Sequence, residues 1–132
     1  MIRLNPDLRE SDWWKLHPKL LTIVCNVADY CLVRYNYYIT ISSMLRKKTD
    51  DNGVHQTGRA IDISSKELDA DEIADIVNFV NLNYPRDDKK PTAIYHDVGQ
   101  GAHFHFQVQY QRSFEGQERS NIDFCQNLVT KH

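Results

Sequence analysis

Two histidines stand two positions apart in the stretch HFHFQVQY, residues 103–110. A β-strand turns every second side chain to the same face. His103, His105 and Gln107 therefore point one way, and Phe104, Phe106 and Val108 the other. The aromatic side is suited to a core, which leaves the histidine side open to a metal ion. A second cluster, VHQTGRAIDI, places His55 before a glycine turn at Gly58 and Asp62 on a following strand, with Ile61 and Ile63 on the opposite face. Imidazole and carboxylate are the ligands that a catalytic zinc commonly takes, three from the protein with a fourth position open to water. His55, Asp62 and His105 would supply that set, so Zn is the expected cofactor.

The surrounding elements must hold these groups in place. Leu20, Ile23, Val24, Val27 and Cys31 recur at intervals of three and four, which predicts a long helix opening near Pro18 and running to Tyr35. Tyr37 to Ser43 is rich in β-branched and aromatic residues and reads as a strand. The polar KKTDDNG, residues 47–53, is a loop leading to His55. Arg59 to Ile63 forms a short strand. Asp69 or Asp71 then caps a helix whose Ile73, Ile76, Val77 and Val80 make an apolar stripe before Pro85. Ala93–Tyr95 and His103–Tyr110 are two further strands, joined as a hairpin through DVGQG. Trp13 and Trp14 are packing residues, and His17 stands at a helix entry. Helices with antiparallel strands give an α+β class, a small antiparallel sheet with helices packed on one face.

The chain has 132 residues, enough for a single domain, 1–132, with a polar C-terminal extension over 111–132 that holds a short helix at Asn121–Leu128. The net charge of −2 gives no basic field, so no nucleic acid is expected as a partner. The longest apolar run, around Leu20–Val24, is far below the roughly 20 residues of a membrane span. No signal peptide follows Met1 either, which predicts a soluble monomer with no membrane partner, cytoplasmic as synthesised. Cys25, Cys31 and Cys125 form no Cys-x-x-Cys pair and read as buried thiols.

Three motifs in order, S-x-x-R at Ser43–Arg46, H-x-x-G-R-A-x-D at His55–Asp62, and H-x-H at His103–His105, resemble the zinc peptidase group of D-alanyl-D-alanine carboxypeptidases and phage L-alanyl-D-glutamate endopeptidases. The likeness runs from about Ile39 to Val108. It implies a hedgehog/D,D-peptidase-like fold, zinc held by His55, Asp62 and His105, and Arg46 steering or polarising the substrate carbonyl with Ser43 beside it. Gly58 and Ala60 would be the small residues packed by the site. The implied substrate is the stem peptide of bacterial cell-wall peptidoglycan, cut at a bond involving a D-amino acid. A small chain with no leader is similar to a phage lysis enzyme that reaches the wall after release, or one carried in a virion.

Two positions depart from the group's pattern. Gly53 stands where many members have serine, and Ala102 where many have the acidic general base. His103, on the same strand face as His105, is the nearest replacement as proton carrier, with His96 and Asp97 in the YHDVGQG turn as alternative bases. A rival reading takes the same residues as a non-catalytic zinc module acting in virion assembly or protein interaction. A third treats the histidines as satisfied polar groups in a binding protein.

Overall fold

A computed structural model describes residues 2–45, 57–97, 99, 101–109 and 129–131. Among these residues, nine elements follow one another. They are β1 (Ile2–Leu4), α1 (Glu10–Trp13), α2 (Pro18–Tyr35), β2 (Ile39–Ser43), β3 (Ala60–Ser64), α3 (Ala70–Asn83), β4 (Ala93–Asp97), β5 (Ala102–Gln107) and β6 (Val129–Lys131). The class is α+β, as the periodicities predict.

Each long helix starts where its own side chains satisfy the free backbone donors of its first turn. His17 caps α2, its Nδ1 accepting from Lys19 N at 3.1 Å, with Pro18 in the first turn. Of the two predicted caps of α3, Asp69 is the one used. It closes a capping box in which Asp69 Oδ1 accepts from Glu72 N and Glu72 Oε1 accepts from Asp69 N. The α2 stripe of Leu20, Ile23, Val24, Val27 and Cys31 is fully buried, and Ile76 and Val80 of α3 join it in one core.

The six strands lie in the order β4-β5-β3-β2-β1-β6. Neighbours among β2, β3, β4 and β5 are antiparallel, whereas β1 joins β2, and β6 joins β1, in parallel. The sheet is therefore mixed, extended beyond its antiparallel part by two strands of three residues. The extension at 111–132 is not wholly a tail, because residues 129–131 form β6.

Register fixes what each face carries. Leu4 pairs with Ile41, Ile41 with Ile63, and Ile63 with Phe104, and this apolar row is buried among the helices. Adjacent residues alternate to the other face. There Arg3 pairs with Thr40, Ser64 with His103, and His103 with His96. Thr40 and Ser64 lie one step beyond the Ile41–Ile63 pair, so the row runs unbroken from β1 to β4.

Among the described residues, no helix is long and apolar enough to cross a membrane. Cys25 is disulfide-bonded, which corrects the reading of all three cysteines as thiols, while Cys31 is a free buried thiol. The predicted 47–53 loop and the Asn121–Leu128 helix lie outside the described residues.

Candidate metal centre

The β3–β5 pair sets Asp62 opposite His105 on the face turned away from the core. Asp62 Oδ1 lies 2.9 Å from His105 Nδ1, and the two side chains are only 8% and 11% exposed. The β4–β5 hairpin brings in a third group, because His96 pairs with His103 and its ring lies 5.4 Å from that of His105. Asp62, His96 and His105 each offer a ligand atom, and these atoms all lie within 4.8 Å of one another.

Two observations show that this set suits a cation. Nε2 of His96 is buried with no hydrogen-bond partner among the described residues, a costly state for a polar atom unless something else satisfies it. Burial first, then the neighbouring His103 and His105, pushes the His96 pKa below its ordinary value, which favours the neutral imidazole that metals bind. His105 gives the second. Its Nε2 lies 3.0 Å from Gln107 Oε1, an oxygen that can only accept, so Nε2 carries a hydrogen. Nδ1 then faces the Asp62 carboxylate, and a proton or a metal ion between them completes the pair. Nitrogen and oxygen donors of this kind suit zinc and its divalent neighbours.

His103 stands beside the cluster. Its Nδ1 is 2.9 Å from Gly101 O, a carbonyl that can only accept, so Nδ1 donates there and the ring presents Nε2 to the cluster. That Nε2 lies 3.6 Å from Asp62 Oδ1. It borders a cleft of about 200 Å³ lined by Ser42, Ser43, Asp62, Ser64, Gly101 and Ala102 with His103. Ser43, paired with Asp62 across β2–β3, is thus beside the cluster.

Of the residues singled out in the sequence, Asp62, His103 and His105 come together with His96, while His55 and Arg46 lie outside the described residues. His96, an alternative base in the sequence reading, stands in the candidate metal cluster. Asp97, one residue on, alternates to the opposite face, and its Oδ1 accepts from Gly99 N at 2.9 Å, which makes it a turn residue. Ala60 is buried on the ligand face, paired with Gln107. Gly58 packs elsewhere. At φ +75° it lies against the α1–α2 junction, where a Cβ would come 2.6 Å from Lys15 O. Its own carbonyl accepts from His17 N at 2.8 Å.

Comparison with protein-family models, with curated proteins and with solved structures returns no match.

Proposed function

We propose that the chain is a zinc-dependent peptidase hydrolysing an amide bond in the stem peptide of bacterial peptidoglycan. The observation that carries this reading is the Asp62, His96 and His105 cluster with His103 Nε2 beside it, 3.6 Å from Asp62 Oδ1, at the edge of an open cleft. Zinc held by these residues would supply Lewis acidity and lower the pKa of water toward neutrality. His103 Nε2 takes a proton from the attacking water as its oxygen bonds the carbonyl carbon. It then delivers that proton to the amine nitrogen as the C–N bond breaks. Ser43, at the cleft wall, hydrogen-bonds the peptide, and Arg46 is assigned the developing oxyanion by its place in S-x-x-R.

A non-catalytic zinc module has one observation in its favour. Ala102 stands where many members of the resembled zinc peptidase group carry the acidic general base. Zinc-loaded protein incubated with purified muropeptides separates the two readings. New products whose summed mass exceeds the substrate by one water support hydrolysis. The variant His103→Ala should retain zinc and lose turnover, and unchanged turnover would remove His103 from the mechanism. Zinc bound with no product from any muropeptide favours the module.

A further inference from the structure

The polar row on the open face does not end at the cluster. Beyond Ser64, which also lines the cleft, the face widens into a second groove of about 620 Å³ bounded by Arg3, Tyr37, Tyr38, Thr40, Ser64 and Lys66. Ser64 lines both, so the two depressions adjoin at β3. The far end is cationic. The guanidinium of Arg3 lies 4.9 Å above the Tyr38 ring, which holds the side chain over the groove. Tyr37 Oη donates to Lys66 O at 2.8 Å and Lys66 N to Ser64 Oγ at 3.2 Å, so the Lys66 backbone is fixed as well. Glu67 also borders the groove, yet among the described residues no carboxylate forms an ion pair with Arg3 or Lys66.

We propose that this groove is the far end of the substrate path, where Arg3 and Lys66 receive a free carboxylate of an extended peptide whose reacting bond lies at the Asp62, His96 and His105 cluster. The orientation rests on the peptidase reading above. Distance supports it. From His103 on β5 to Arg3 on β1 there are three interstrand steps of roughly 4.8 Å, about 14 Å in all. An extended peptide advances roughly 3.4 Å per residue, so the carboxylate sits about four residues from the metal. Arg3 offers a planar fork suited to a carboxylate, and Lys66 a point charge. Thr40 and Ser64 lie on the strands between Arg3 and the cluster, with hydroxyls for the peptide backbone. The groove thereby selects peptides by their terminal carboxylate and sets which bond reaches the metal.

The test is a binding measurement that needs no turnover. A fluorescein-labelled stem pentapeptide is prepared as its C-terminal acid and as its C-terminal carboxamide, and each is titrated into the full chain by fluorescence polarisation, with and without zinc. The acid should bind about tenfold more tightly than the carboxamide, a difference that shrinks with added salt. Arg3→Gln and Lys66→Gln, each checked for an unchanged circular-dichroism melt, should bring acid and carboxamide close to equal. Equal binding of both peptides to the wild-type chain overturns the inference, as does discrimination that survives in both variants or no binding of either peptide. Discrimination that is lost in the variants, in a protein that hydrolyses neither peptide, would remove the peptidase reading and leave the carboxylate site standing.

Discussion

Asp62 Oδ1 and His105 Nδ1 face each other at 2.9 Å across β3–β5, while the other His105 nitrogen is tied to Gln107. A carboxylate and an imidazole held this way are two corners of a candidate cation site, and His96 offers the third ligand atom within 4.8 Å. Asp62→Asn keeps the shape and removes the charge. It should weaken zinc binding by more than about a hundredfold, beyond the effect typical of an outer partner. His96→Ala should lower affinity at least about tenfold if its buried Nε2 is a ligand. Competition with a chromogenic chelator measures both, and an unchanged affinity for His96→Ala would return the third position to His55 alone.

Gln107 makes no contribution of its own to the ligand set, but it fixes which nitrogen of His105 faces Asp62. Gln107→Leu should reduce zinc affinity roughly 10- to 100-fold while leaving the melt near that of the wild type. Loss of affinity with a collapsed melt would instead mark Gln107 as a packing residue.

The ligand face was legible because alternation in HFHFQVQY and in RAIDI places His103, His105 and Asp62 opposite Phe104, Phe106, Ile61 and Ile63 without any knowledge of tertiary structure. The α2 stripe and the α3 cap were legible for the same reason, since their period and their capping chemistry are local. The place of His96 was not. It depends on the hairpin register that sets His96 against His103, and a turn containing two glycines of positive φ, Gly99 and Gly101, leaves that register open in sequence. β1 is three residues long, too short to show a period, and its partner β2 lies far along the chain and runs parallel to it. The groove ending in Arg3 was hidden with it.

Gly58 connects the site strand to the helical layer. Its φ of +75° already disfavours a side chain, and the 2.6 Å approach to Lys15 O leaves a Cβ no space unless backbone moves. Gly58→Ala should destabilise the fold by about 2–4 kcal/mol in urea unfolding. A change within experimental error would mean that the α1–α2 junction yields freely.

Asp75 of α3 ties that helix to α2. It accepts from the hydroxyls of Tyr35 and Tyr30, the latter at 2.9 Å, and pairs with Arg34 at 3.0 Å. The hydrogen bond from Tyr35 is the largest influence holding its carboxyl below the ordinary value, against a smaller upward push from burial. A depressed folded pKa means that the unfolded chain binds more protons in the acid range, so this stabilisation is complete above the unfolded value near pH 4. It is lost as pH falls through the folded value. Asp75→Asn should therefore cost about 1 kcal/mol at pH 7, and the gap to the wild type should close as pH falls through the folded value. Urea unfolding of both proteins across this range reads the difference. A gap that stays constant down to pH 2 would show that Asp75 holds α2 and α3 by its shape rather than by its charge.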